Sequence, residues 1–115
     1  MFFSVDNTIA ALRAFGKKMQ VISNNIANVN TDGFKRSRAH LVNDKNDGVT
    51  VTISREGAAE TPASDPSEGQ NATPSNVSLA EEVPQSIATQ RYYEANVKTL
   101  KVKDEMTKSV IDIIE

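Results

Sequence analysis

"SNNIANVNTDGF", residues Ser23 to Phe34, sets Asn24, Asn25, Asn28 and Asn30 among apolar residues that recur at helical spacing. Asparagine is a mediocre helix former, because its side chain competes for backbone hydrogen bonds. So many amides on a packing helix need a reason. Upstream the apolar pattern is regular: Val5, Leu12, Met19 and Ile26 are spaced by seven, and Phe15, Ile22 and Val29 form a second row three places further on. That is the seam of a helix packed lengthwise on a partner helix. Thr8 takes the first position of the second row, and Ile9 beside it supplies the apolar contact. The spacing predicts a helix from about Ser4 to Asp32, roughly 40 Å long. Ser4 is its expected N-cap and Asp6 the acidic residue of its first turn. Gly16 sits inside it at a cost of about 1 kcal/mol against Ala. Gly33 is the expected left-handed residue after the helix, with Val29 and Phe34 in hydrophobic contact across the stop. Thr31, Gly33 and Phe34 thus form a predicted helix-stop turn, followed by the basic exit Lys35, Arg36 and Arg38.

The middle differs in kind. "GVTVTISREG" alternates Val49, Val51 and Ile53 against Thr50, Thr52 and Ser54, the pattern of a half-buried strand. "HLV" and "NDKNDG" before it predict a hairpin with Asp47 and Gly48 in the turn. An isolated two-stranded hairpin is marginal in water, so it must lean on a neighbour. "EGAAETPASDPSEGQNATPSN" holds three of the four prolines and almost no large apolar residue, and reads as a disordered linker.

Ser78 and Glu81 open the last zone with capping-box spacing. Pro84 follows six residues in, so either the helix kinks there or its start slips to about Val83, placing Pro84 in the first turn. An apolar stripe runs from Ile87 through Tyr93, Val97, Leu100, Met106 or Thr107, and Val110 or Ile111 to Ile114. This predicts a helix of roughly 45–55 Å. Boundaries fall at residues 1–34, 35–77 and 78–115 of one domain. The fold class is mainly α: two long terminal amphipathic helices pairing as an antiparallel coiled-coil-like hairpin, with a small β-hairpin and a disordered loop between them. Two helices with single stripes bury one seam, and apolar residues lie beyond it, including Ile9, Val102, Ile113, Tyr92 and the Phe2-Phe3 start. Such a pair is poorly stabilised alone, so both helices are expected to need neighbouring chains.

The totals narrow the function. The chain has 115 residues, 38% hydrophobic with 5% aromatic, enough for one small domain with a modest core. A net charge of −2 gives no pull toward nucleic acid or an acidic membrane. There is no cysteine, and His40 is the only histidine, so a Cys/His zinc site is not available. The start lacks the basic region and apolar run of a secretory signal, and no stretch approaches the roughly 18 apolar residues of a membrane span. "KRSR" with Lys17 and Lys18 lacks stacking aromatics and reads as a solvated face. In "NDKNDG" a calcium loop fails because Lys45 falls at an acidic position. Asn71 and Asn76 fit glycosylation sequons by chance of composition, and nothing orders His40 into a triad. No catalytic, cofactor-binding or metal-ligating set is assigned, and an enzyme is not expected.

"SNNIANVNTDGFKR" resembles the signature of the bacterial flagellar basal-body rod and hook family, approximately N-N-[IL]-A-N-x-x-T-x-G-[FY]-[KR], through Asn24, Asn25, Ile26, Ala27, Asn28, Thr31, Gly33, Phe34 and Lys35. "SNVSLAEEVPQSIATQRYYEANVKTLKVKDEM" separately resembles that family's C-terminal segment. Pro84 departs from the family pattern, and the short middle matches the compact proximal-rod type. The resemblance implies a structural subunit of the rod, exported unfolded without a cleaved signal through the flagellar type III apparatus. It implies helical stacking in the periplasm with other copies and other rod and hook subunits, the paired terminal helices forming the axial layer of a torque-transmitting tube. It implies no nucleic acid, membrane insertion or cofactor. The asparagines then suit subunit contacts, since amides satisfy polar groups across an interface without the desolvation cost of a charge. The expected subunit contacts are Asn24, Asn25, Asn28, Leu12, Met19, Ile22, Ile26, Val97, Leu100 and Ile111. The simpler alternative is that the asparagines end a helix locally. The alternative function is a self-associating coiled-coil adaptor or regulator that keeps the family's ends but does not enter the rod.

Overall fold

The computed structural model describes residues 2–46, 48–57 and 73–114. Four elements follow in order: helix α1 (Phe2–Ala27), strands β1 (Ser37–Asp44) and β2 (Gly48–Arg55), and helix α2 (Leu79–Ile114). The fold is mainly α, with the expected β-hairpin between two long helices. The expected linker falls largely on residues 58–72, outside those described.

The two helices run antiparallel, because their contacts descend one while climbing the other. Asn25 meets Glu82 at 3.3 Å, Met19 Sδ meets Ser86 at 3.8 Å, and Phe15 stacks on Tyr92 with ring centroids 5.6 Å apart. Thr8 meets the Lys103 ammonium at 3.5 Å. The heptad seam of α1 is therefore the face turned to α2. On α2 the face turned to α1 is largely polar: Glu82, Ser86 and Thr89 line it with half-buried Leu100 and Lys103. Apart from Leu100, most of the apolar stripe expected to fill this seam points elsewhere. Ile87 is 55% exposed and Met106 63%, and Val97, Val110, Ile111 and Ile114 are also exposed.

The hairpin lies lengthwise on another side of α1. Its ladder pairs Ser37 with Arg55 through Asp44 with Gly48. At its base Ser37 bonds Asn25, and at its tip Gly48 sits against Asn7. Eighteen residues of helix rise about 27 Å, and seven steps of strand about 23 Å, so the two elements match in length. Gly48 has a φ of +79°, a conformation that suits glycine; a Cβ there would stand 2.9 Å from Asn7 Oδ1, a contact the exposed amide can relieve by turning. Ala39, Leu41, Val49, Val51 and Ile53 share one face of the hairpin by register, and Val49 and Val51 are half-buried.

The core is small and polar. Among the described residues Ala14 and Ile22 are the buried apolar ones, while Thr8, Asn25, Glu82 and Thr89 are buried with them. Thr89 satisfies its hydroxyl on the Gln85 carbonyl one turn back, at 2.7 Å.

Two local expectations are corrected. First, α1 starts at Phe2, so Asp6 lies beyond its first turn. Second, α1 ends at Ala27 rather than near Asp32. Asn28 Nδ2 takes the Asn24 carbonyl at 2.8 Å, Thr31 Oγ1 donates to Asn28 Oδ1, and the backbone falls into short turns such as Thr31 N to Asn28 O. Gly33 is left-handed, with φ +72°, but its N–H reaches Thr73 O at 2.7 Å instead of the helix end. Of the two starts open for α2, the earlier is found: the helix begins at Leu79 and carries Pro84 inside it. The N–H groups of Glu81 and Glu82 both bond Ser78 O, and proline then omits the bond to Ala80, whose exposed position lets water satisfy the carbonyl.

Candidate assembly site

The asparagine-rich end of α1 and the start of α2 meet at one place. Asn25 is 1% exposed, and its amide is spent within the chain. Its Nδ2 donates to Ser37 O at 2.7 Å and to Glu82 Oε1 at 3.3 Å, while its Oδ1 accepts from Ser37 N at 3.0 Å. One side chain thus caps the first residue of β1 and holds a carboxylate that is itself 5% exposed. Helix spacing places Asn25 beside Ile22 and Ile26 on the seam, so burial of this one asparagine follows from its position on the turn.

The other asparagines lie outside. Asn24 and Asn30 are exposed, and Asn28 is half-buried, bonded to Asn24 and Thr31 on the surface. Of the other residues expected at subunit contacts, Ile22 is buried in the seam and Leu12, Met19, Ile26 and Leu100 are half-buried. Val97 and Ile111 are exposed on α2. In the turn, Thr31 and Gly33 are exposed and Phe34 is half-buried.

Around Asn25 the turn after α1 and the base of the hairpin are tied to the segment that leads into α2. Asn76 accepts from Arg36 N at 2.6 Å and donates to Glu56 O at 3.1 Å, and its own N–H reaches Phe34 O. The Ser75 hydroxyl donates to the Val29 carbonyl. Arg36 bridges the Glu56 and Glu81 carboxylates, each at 2.5 Å, and Arg38 bonds Glu56 at 2.8 Å. The hydrogen bond to Glu56 raises the Arg36 pKa most, partial desolvation opposes it, and Glu81 adds to the rise. The arrangement fixes the base of the hairpin to the N-terminus of α2, where Glu81 also complements the helix dipole.

Arg36, Glu56, Ser75, Asn76 and Glu82 were not singled out from the sequence as contact residues. The signal available was indirect. Glu82 follows the capping-box glutamate and lies one turn before Ser86 on the seam, and "SN" precedes the helix within the C-terminal motif.

Beyond the knot, α2 presents two bare apolar flanks. Leu79, Val83 and Ile87 recur every four residues on one, and Val102, Met106 and Val110 do so on another. Ile113 and Ile114 are each 80% exposed. Among the described residues no group of side chains is placed to hold a metal ion, and no helix is long and apolar enough to cross a membrane.

The knot joins the two segments that match known families. Residues 6–35 match the family described as flagella basal body rod protein. Residues 73–113 match the family described as flagellar basal body rod FlgEFG protein, C-terminal. The hairpin lies between the two matches. Comparison with curated proteins gives no match.

Proposed function

We propose, for a chain that belongs to the family of flagellar basal-body rod and hook-type proteins, that it is a subunit stacking helically with copies of itself and other rod and hook-type subunits to carry torque. One observation carries this reading: α2 leaves two apolar flanks uncovered while its companion helix is already occupied on two sides. Patches of this kind on a soluble chain mark contact surfaces. Leu79, Val83, Ile87, Val97 and Ile111, with Asn24 and Asn28, form the surface that meets neighbours. Asn25, Leu12, Met19, Ile22, Ile26 and Leu100 act in the same assembly by holding α2 in register. The role is structural, not catalytic. The two family matches support a place in the periplasmic part of the basal body, reached through the flagellar type III apparatus without a cleaved signal.

The test is mass spectrometry of purified basal bodies, from cells carrying the wild-type chain or Val83→Asp with Ile87→Asp. The wild-type chain is expected in basal bodies. The double variant should be expressed and exported but missing from them, because two carboxylates in a desolvated contact go unpaired. A wild-type chain found only as a cytoplasmic dimer or tetramer, with motility unaffected by its deletion, overturns the proposal.

A further inference from the structure

The hairpin offers a surface that the helices do not. Strand β2 pairs with β1 on one side only, and on its other side its N–H and C=O groups have no partner among the described residues. Soluble proteins usually guard such an edge with charge, proline or a bulge. β1 follows that rule, with Arg38, His40 and Asp44 along it. β2 does not: from Gly48 to Ser54 it has no charge and no proline, and it pairs residue for residue without a bulge. Thr50, Thr52, Ile53 and Ser54 are exposed.

We propose that the free edge of β2 is a strand-pairing surface for the β2 edge of a second copy, antiparallel and centred on Val51. The sequence is self-complementary in that register. Val51 faces Val51 of the second copy, and Val49 faces Ile53, so one side of the joint is wholly β-branched. Thr50 faces Thr52 on the other side. Both pair types favour antiparallel strands. The result is a four-stranded sheet in the order β1, β2, β2, β1, with both copies of α1 on the same face, since the two-fold axis stands perpendicular to the sheet.

Space permits it. A groove of about 600 Å³ runs between β2 and α1, lined by Ile9, Arg13 and Lys17 on the helix and by Val49 and Val51 on the strand. These helix residues lie away from the seam with α2, so β2 overhangs the side of α1 that α2 leaves open. Two hairpins joined edge to edge have centres about 9.6 Å apart, twice the strand spacing. Packed helices lie about 8–10 Å apart, so the second copy of α1 closes the groove instead of clashing with its twin.

The experiment uses the purified full-length chain, so its outcome is independent of the basal-body test. Sedimentation at high micromolar concentration should show the 12.5 kDa chain moving toward twice that mass. Thr52→Lys, an exposed residue on the edge, should return it to the monomer with unchanged helical circular dichroism. His40→Lys on β1 should leave the dimer intact. The chain has no cysteine of its own, so Val51→Cys can be oxidised cleanly and should yield a covalent dimer, while Ile53→Cys should not. A wild-type chain that stays monomeric, a Thr52→Lys dimer, or cross-linking at position 53 in place of 51 overturns the proposal.

Discussion

Replacing Asn25 by alanine removes three hydrogen bonds at once, to Ser37 O, Ser37 N and Glu82 Oε1. The two Ser37 groups are half-buried and regain some water, at about 1 kcal/mol each. The Glu82 carboxylate is 5% exposed and loses its neutral donor. That loss costs about 1–2 kcal/mol more. The total is about 3–4 kcal/mol, against the roughly 6–17 kcal/mol expected for a chain of this length. With only Ala14 and Ile22 as buried apolar residues among those described, the actual stability lies at the low end. Urea unfolding followed by far-UV circular dichroism should therefore show Asn25→Ala largely unfolded well before the wild type. Asn28→Ala, whose bonds lie on the surface, should cost less than about 1 kcal/mol. Asn25→Asp sharpens the comparison. It sets a second carboxylate beside Glu82, so at neutral pH it should be worse than alanine. Like-charge proximity raises the pKa of one of the pair, so stability should recover as pH falls through the carboxylate range. If Asn25→Ala and Asn28→Ala unfold together, or Asn25→Asp gains nothing on acidification, the knot does not hold the fold.

Arg36→Ala removes its ion pair to Glu56 across the base of the hairpin and its ion pair to Glu81 on α2, leaving Arg38 at 3.6 Å from Glu81; it should cost about 1–2 kcal/mol with the partly exposed carboxylates discounted. The same loss should appear in wild type at high salt, and a variant whose melting is unchanged by salt or substitution would contradict the bridging role. Gly33→Val places a β-branched residue at φ +72° with open space around it. The cost, about 1–2 kcal/mol, is therefore backbone strain alone, and Gly33→Asn should recover most of it in thermal melts. Pro84→Ala restores the bond to Ala80 and should raise stability by about 1 kcal/mol, after the loss of proline's restraint on the unfolded chain; a lower melting temperature would count against that balance.

The parts legible in the sequence were those with a period. Seven-residue spacing found the α1 seam, and alternation found β2. Gly33 was legible as left-handed because few other residues adopt that conformation. Its hydrogen-bond partner was not, since Thr73 is distant in sequence. Four asparagines in one motif look alike on paper. Which is buried depends on where β1 begins, and that follows from a helix stop at Ala27 set by side-chain bonds among Asn24, Asn28 and Thr31. The α2 stripe was visible too, but hydrophobicity cannot say which side faces the partner when the contact itself is made by Glu82, Ser86 and Thr89.

The helices are unequal, 26 residues against 36, and they start level at the knot. One therefore outreaches the other by about 10–15 Å at the far end. Two such molecules set flush would leave those tips, Ile113 and Ile114 among them, hanging in water. In the proposed assembly a companion slid along the long axis would cover them, as bricks overlap between courses, and a wall laid that way would have no continuous joint along which to shear.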